Sequence, residues 1–565
     1  MKDKTAQWLY HVSGKQIQNI VLLTSVQAFH EVSVVFRTLL LRSVVDAAVG
    51  RNSVQFWRFA VFFSLLMVLQ IALRAVIRWL GELSRAGLEN SFKQRLFHHL
   101  LWKDYASVSA VHSAEWINRL TSDTRIVAED MVDILPGFAG MGVRLICALA
   151  MLLLLERRFA VILLPGGVFL ILFSWLFRKR LKRFHKAVRE QDGKLRVFFQ
   201  ERIAAMPILH AFSVEKQTET EAVERMAAHK TARMRKNYFS NICNSGFGVA
   251  MQSITLFGIV SCGYGILKGT VSFGTFTAVI QLISQVQSPF ANLTGYLPRY
   301  YAMIASAERL MEIEDFREEN ESVVLSRQEV DTFYKERFAS IVLRNAAFTY
   351  YPSMEQEKRD QPVVLDRLNL EIKKGEIVAF TGTSGCGKST VLKLLMCLYS
   401  LDQGDRQLMD REGLTIPLTA AWRRLFAYAP QGHFLLSGTV REVVSFSAPE
   451  QATDNDALNR ALEISEANFV KDLPHGLDTL LGERGTGLSE GQMQRLAIAR
   501  AIFADRPILL LDESTSALDA ETEKRLLAGL KKLTDKTVVI VTHRPAALDI
   551  CDRVLHFTEN GVTEL

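Results

Sequence analysis

The sequence predicts an α-helical domain of six membrane spans followed by an α/β P-loop nucleotide-binding domain, and three observations carry that prediction. Long apolar stretches fill roughly the first three hundred residues and then stop. A polar, acidic run from Glu312 to Val324 marks the change. From Ile341 onward, short β-branched runs alternate with helix-forming segments, the pattern of strands covered by helices. The boundaries that follow are a membrane domain over 1–318, a linker over 319–340 and a nucleotide-binding domain over 341–565.

Composition agrees with this division. A chain of 565 residues is too long for one hydrophobic core. At 49% hydrophobic and 22% charged, with a mean hydropathy of +0.11, it fits neither a disordered chain nor an ordinary soluble enzyme, so part of it is expected in lipid. The net charge of +7 suits either nucleic acid or anionic lipid, and the placement of the basic residues decides. The run RKRLKRFHK, Arg178 to Lys186, directly follows an apolar stretch, where the positive-inside bias accounts for it. No nucleic-acid partner is expected. The six cysteines are scattered, without CxxC or metal-ligand spacing, which argues against disulfides and structural zinc.

The six spans are read near Ile20–Val49, Val54–Leu80, Met131–Leu155, Phe159–Phe177, Ile242–Leu267 and Phe273–Leu297. Each approaches the roughly 20 residues that a bilayer requires. Very short turns at Gly50–Ser53, Glu156–Arg158 and Lys268–Ser272 alternate with two long connections. Those connections hold roughly fifty to sixty helix-forming residues, enough at about 1.5 Å per residue to extend about 35 Å beyond the membrane. Their basic residues put them, the N-terminus and the nucleotide-binding domain in the cytosol. The N-terminal segment shows no cleavable signal peptide and no peptidase module before the first span. A multi-pass integral membrane protein, of a bacterial plasma membrane, is therefore expected.

In the second half, Gly382-Thr383-Ser384-Gly385-Cys386-Gly387-Lys388-Ser389-Thr390 follows an apolar strand and opens a helix, which is the context of a Walker A phosphate loop. Glycines let successive N–H groups surround phosphate oxygens, Lys388 adds a point charge and Ser389 a hydroxyl for Mg²⁺. The strand Ile508–Asp512 ends in two acids: Asp512 is placed to hold Mg²⁺ and Glu513 to polarise the attacking water. ATP and Mg²⁺ are the ligands these residues imply.

Leu488-Ser-Glu-Gly-Gln492, upstream of that strand, resembles the signature sequence of ABC transporter ATPases. The other motifs of that family occur in order. Gln431 resembles the Q-loop residue, which also reaches the metal; Glu483 the X-loop; Ser516–Asp519 the D-loop; and His543 the switch histidine. Tyr350 resembles the aromatic that stacks on adenine, with Tyr351 the competing choice; alternation favours Tyr350, on the side of Phe348. The resemblance covers essentially the whole chain, since six spans with two long cytosolic connections match the exporter-type (type IV) membrane half, and Asn118–Thr124 is similar to the segment after the first coupling helix. It implies that the connection tips near Tyr105–Val111 and Pro207–Phe212 act as coupling helices. It implies catalytic roles for Glu513, His543 and Gln431, and it assigns Ser489, Gly491 and Gln492 to a nucleotide held by another subunit. The sequence departs from the pattern at Glu490, where glycine is usual, at Met493, where a polar residue is usual, and in a long loop over Ser353–Pro362.

What the resemblance implies is a half-transporter that works as a dimer, with a homodimer favoured and a heterodimer open, and that exports an amphipathic small molecule, lipid or peptide by alternating access. An importer on the same fold, of siderophore-like substrates, is the alternative, and a nucleotide-gated regulatory protein a further one. Ionisable and amide residues within the spans, among them Gln27, His30, Glu31, Arg37, Gln70, Arg74, Arg144, Gln252, Gln281 and Gln285, are costly in lipid and are expected to face the bundle interior or water. Glu31 and Arg144 lie at similar mid-membrane depth, so they are expected to pair or to bind a polar part of the substrate.

Overall fold

A computed structural model describes the whole chain except residues 1, 156–157, 320–324, 351–362, 433–434, 483–486 and 559–560, and the side chains of 2–3, 158–179, 290–294 and 297. The chain divides into two compact units, residues 1–95 with 118–311 and residues 96–117 with 312–565.

The helices of the first half are α1 (Lys2–Ser13), α2 (Gln16–Val49), α3 (Ser53–Trp102), α4 (Tyr105–Ser109), α5 (Ser113–Asn118), α6 (Thr124–Leu155), α7 (Arg158–Ala204), α8 (Met206–Ala211), α9 (Glu215–Leu267) and α10 (Phe273–Met311). Each of the six long ones, α2, α3, α6, α7, α9 and α10, adjoins a short turn read from the sequence at one end and runs beyond the predicted span at the other. Of the described residues, Ser53–Trp102, Ser113–Leu155 and Glu215–Leu267 are long and apolar enough to cross a membrane by length and composition. The predicted connection tips are the short helices α4 and α8.

Helices α2, α6 and α10 form the core of the first unit around Val35, Ala148, Leu152, Val279 and Leu282, joined by Cys262 of α9. Close approach depends on small residues. A Cβ on Gly140 of α6 would meet the Gln27 side chain of α2 at 3.0 Å. A five-residue π-helical turn, Arg119–Asp123, precedes α6, and π-turns of this kind are frequent at functional positions. It carries Asp123 inward, where the buried carboxylate accepts from Ser306 Oγ at 2.9 Å and from Arg309 Nε at 2.8 Å on α10.

In the second unit, α11 (Arg327–Glu336) starts at a capping box in which Ser326 and Glu329 satisfy each other's backbone N–H. An antiparallel sheet with the order β2-β1-β4-β5 follows, built from β1 (Phe338–Phe348), β2 (Leu365–Lys373), β4 (Gln403–Asp410) and β5 (Thr415–Pro417). The central sheet has the order β12-β11-β3-β10-β9-β6, where β3 is Ile377–Gly382, β6 Phe426–Ala429, β9 Ile508–Asp512, β10 Thr537–Val541, β11 Arg553–Thr558 and β12 Gly561–Glu564. All its pairings are parallel except that of β11 with β12. The strands β9 and β10 are buried throughout, which is why they read as continuous apolar runs rather than as alternations. A two-stranded pairing of β7 (Gly438–Thr439) with β8 (Leu480–Leu481) lies beside it.

Helix α12 (Lys388–Leu395) follows β3. A helical subdomain of α13 (Val440–Val444), α14 (Asn455–Ile464) and α15 (Glu490–Phe503) has its own core of Val440, Val444, Leu458, Leu462 and Leu496. Helices α16 (Ala520–Lys531) and α17 (Pro545–Leu548) complete the unit.

Replacing Asp123 by alanine strips Arg309 and Ser306 of their shared acceptor, a loss of about 1.5–3 kcal/mol for hydrogen bonds to a charged group. The thermal midpoint of the purified D123A protein is expected to fall by several degrees, and an unchanged midpoint would contradict the assignment of this bond set.

Candidate functional site

The phosphate loop is shaped by three glycines. Gly382, Gly385 and Gly387 have φ of +129°, +87° and +94°, conformations that side-chain-bearing residues rarely adopt. At Gly382 the constraint is steric as well, because a Cβ would stand 2.2 Å from the Phe557 carbonyl oxygen. The loop therefore stays narrow and delivers Lys388 to the first position of α12. Lys388 is buried and donates to the carbonyls of Gly382 at 2.7 Å and Thr383 at 2.8 Å. Its ammonium lies across the loop's own carbonyl oxygens.

Parallel pairing brings the second half of the site alongside. Ser389 Oγ donates to Asp512 Oδ1 at 2.7 Å, and Tyr428 OH donates to Asp512 Oδ2 at 3.1 Å. Burial pushes the Asp512 carboxyl above the usual carboxylate range, against the pull of those two hydroxyls, and neighbouring Glu513 adds to the push. A hydroxyl and a buried carboxylate side by side are a hard-oxygen donor set that suits Mg²⁺, and a divalent cation would relieve the buried charge. The glycine cradle and this oxygen pair fit a magnesium nucleotide.

Glu513 has φ of +48° and donates its N–H to Val541 O at 3.1 Å. A non-glycine residue there stores strain of order 1–3 kcal/mol, a cost that persists where surrounding structure over-determines it. Its carboxylate accepts from Gln431 Nε2 at 2.7 Å, so the Q-loop amide and the acid are already in contact. His543 is exposed just past the end of β10. The Tyr350 hydroxyl lies 3.0 Å from Thr390 Oγ1, and its ring meets Phe348 edge to face at 4.9 Å. Tyr350 is thus on the side that alternation indicated. Tyr351, Ser353–Pro362 and Glu483 lie outside the described residues.

The signature segment is organised by capping. Ser489 caps α15, with Gln492 returning to the Ser489 N–H at 2.8 Å. Gly491 faces the D-loop so closely that a Cβ would stand 2.9 Å from Ala517 O. Gln494, which the sequence reading missed, ties the two segments: it donates to Ser516 Oγ and accepts from Ala517 N, each at 3.0 Å. Arg544 adds bonds to Leu518 O at 2.7 Å and Ser516 O at 2.6 Å. Tyr428 was also missed, although it lies between Ala427 and the Q-loop, and its partner Asp512 had been identified.

In the first unit, Arg144 pairs with Glu31 and donates to Ser288 Oγ at 3.1 Å. Of the two alternatives for these residues, they pair with each other. Gln27 donates to the same carboxylate at 3.0 Å, Arg74 reaches His30 at 3.3 Å and Arg37 donates to Gln70 at 3.1 Å.

Residues 20–290 match the family model described as ABC transporter transmembrane region, and residues 365–516 the model described as ABC transporter. The ATP-dependent lipid A-core flippase of Pasteurella multocida (strain Pm70) is 26% identical over 537 residues, spanning 93% of this chain and 88% of that protein. An uncharacterized ABC transporter ATP-binding protein, YwjA, of Bacillus subtilis (strain 168) is 28% identical over 513 residues, 88% of this chain and 84% of that one. Among solved structures, a bacterial Atm1-family ABC exporter with ATP bound superposes with a TM-score of 0.77 at 19% identity, covering 97% of this chain and 94% of the other.

Replacing Gln494 by leucine, of similar size, leaves Ser516 and Ala517 N–H without this partner at a cost of about 1–3 kcal/mol. Amide hydrogen exchange over Ser516–Asp519 is expected to accelerate; unchanged exchange would mean that Gln494 does not order the D-loop.

Proposed function

From the premise that this chain belongs to the ABC transporters, as a half-transporter with membrane and ATPase halves fused in one chain, we propose that two copies act together as an ATP-driven exporter of an amphipathic lipid with an anionic headgroup. The carrying observation is the polar cluster of α2, α3 and α6, in which Arg144 pairs with the buried Glu31 while Arg74 reaches the buried His30 and Arg37 donates to the buried Gln70. Charge inside a membrane domain is costly enough to mark a polar route. With three guanidiniums and one carboxylate among its members, the cluster carries a positive excess that attracts anions. The Pasteurella multocida relative named above is an ATP-dependent lipid A-core flippase, which supports the same class of substrate. The protein then sits in a bacterial inner membrane.

The hydrolytic roles follow from chain chemistry. Lys388 turns from the Gly382 and Thr383 carbonyls toward the phosphates, and Gly382 to Thr390 supply the backbone N–H cradle. Mg²⁺, held by Ser389 and Asp512 with Gln431 in reach, supplies charge neutralisation on the phosphate oxygens when bound. Glu513, oriented by Gln431, takes the proton of the attacking water, and His543 stands at the adjacent strand end to hold the γ-phosphate edge. Tyr350 stacks on adenine. Ser489, Gly491 and Gln492 of a second copy close the site. Glu490 replaces a glycine there, and an altered turnover rate is the consequence we assign to it.

Glu513→Gln keeps the shape and removes the base, so nucleotide binding is expected to persist while ATP turnover falls about 10²-fold or more. Wild-type turnover in that variant would overturn the assignment. Lys388→Ala is expected to weaken nucleotide binding itself, read by fluorescent-nucleotide titration.

Alanine at Glu31 or Arg144 is expected to alter lipid-stimulated ATPase more than basal ATPase in proteoliposomes. Equal responses to anionic and zwitterionic lipids in wild-type protein would refute the headgroup assignment, and assays in inverted vesicles read the direction of transport.

A further inference from the structure

Tyr399 has no part in the hydrolytic chemistry, yet three aromatic rings converge on it. Its ring packs edge to face against Tyr105, at the start of α4, with centroids 5.6 Å apart, and against Tyr350 with centroids 5.3 Å apart. Phe348 closes a further side at 5.3 Å. Helix α4 thus meets this side chain through the Tyr105 ring.

The backbone of Tyr399 is fixed from the other direction. Cys397, with φ of +57°, ends the turn after α12 in the left-handed region. Arg406 donates to the carbonyls of Leu394 and Tyr399, and Arg423 donates to those of Met396 and Cys397. Arg423 also pairs with Glu319. Two residues before Tyr105, Lys103 bonds the Glu314 carbonyl at 3.0 Å and pairs with Glu318 on the same strip of chain that borders α4. With its backbone pinned, a displacement of α4 is left to the Tyr399 ring, and the Tyr350 ring is its neighbour. Tyr350 touches Thr390 of the phosphate loop through its hydroxyl and is 36% exposed, so part of the ring is open to a ligand.

We propose that Tyr399 is a positioning residue that ties the orientation of the Tyr350 ring to the seating of α4, so that affinity for the adenine base depends on where α4 lies. The proposal rests on the reading of Tyr350 as the residue that stacks on adenine. The ligand concerned is the base of an adenine nucleotide and not its phosphates. Well-packed aromatic contacts shift between discrete arrangements rather than deform continuously, which makes a ring between two others a suitable transmitter.

The test measures basal ATPase of full-length protein in lipid nanodiscs against ATP concentration, with inorganic tripolyphosphate as a competing probe that has phosphates and no base. Tyr399→Ala and Tyr105→Ala are each expected to raise KM for ATP about three- to tenfold with kcat within about twofold. The double variant is expected to be no worse than either single one, and inhibition by tripolyphosphate is expected to stay at the wild-type level. Tyr399→Phe keeps the ring contacts, so its KM is expected within about twofold of wild type.

A wild-type KM in Tyr105→Ala, effects that multiply in the double variant, or a parallel loss of tripolyphosphate inhibition each overturns the proposal. So does a rise in Tyr399→Phe as large as that in Tyr399→Ala. Tyr105 is 42% exposed, so its variant decides the matter even where Tyr399→Ala fails to fold. Tyr350→Ala with an unchanged KM would remove the adenine assignment itself, and the relay with it. A raised KM there beside a wild-type KM in Tyr105→Ala removes the relay alone.

Discussion

The parallel pairing of β3 with β10, β10 with β9 and β9 with β6 is the constraint on which the nucleotide site depends. Parallel strands end at one edge of a sheet, and ligands of open α/β sheets gather at that edge. Here the edge collects Gly382 from β3, Asp512 and Glu513 from β9, His543 beyond β10 and Gln431 beyond β6. Register does the rest. Val541 pairs with both Asp512 and Phe380, so the acid stands level with the strand that feeds the phosphate loop. Ser389 and Asp512, 123 positions apart, meet at 2.7 Å as a result. A slip of one residue in β9 would turn Asp512 to the opposite face.

The membrane unit solves a different problem, which is how to keep charge inside an apolar bundle. An isolated carboxylate or guanidinium at mid-membrane costs about 2.5–3.5 kcal/mol on insertion scales. Glu31, only 4% exposed, meets that cost with Arg144 and Gln27, while Ser288 takes a second donor of Arg144. The arrangement needs α2 and α6 close together, and Gly140 permits it, since any Cβ there would press on Gln27 and Glu31. The same bundle holds a second set of ions, where Arg299 of α10 bonds Asp130 and Asp133 of α6 at 2.7 Å each. Polar residues thus recur where the core helices meet.

What was legible in the sequence is what depends on local signals. The short turns after Val49 and Leu267 gave helix ends that hold to the residue, because the break in apolar pattern and the glycines coincide there. The Walker A loop was legible because its glycines answer a backbone requirement, and Asp512 because a buried apolar strand ending in acids is rare without a ligand. Tyr399, Gln494 and Arg544 were not legible, since each acts through partners far along the chain and none sits in a pattern with a period. The Glu31–Arg144 pair falls between these cases. Helix geometry brought the two to one depth, but only packing of α2 on α6 could choose pairing over separate roles.

Four side chains of the nucleotide site already hold partners: Lys388 rests on loop carbonyls, Ser389 on Asp512, Gln431 on Glu513 and Tyr350 on Thr390. For those four groups a nucleotide exchanges hydrogen bonds more than it adds them, and an exchanged bond is worth little, of order 0.5–1.5 kcal/mol net. On the proposed function, two gains lie outside that exchange. One is the burial of a base on an aromatic face, and the other is relief of the Asp512 charge that burial disfavours. Both sit next to groups that hold the chain's geometry, the Tyr399 cluster on one side and the strained backbone of Glu513 on the other. Binding energy in this site is thus drawn from the places best connected to movable parts, which is the arrangement a machine requires if occupancy is to do work on its shape.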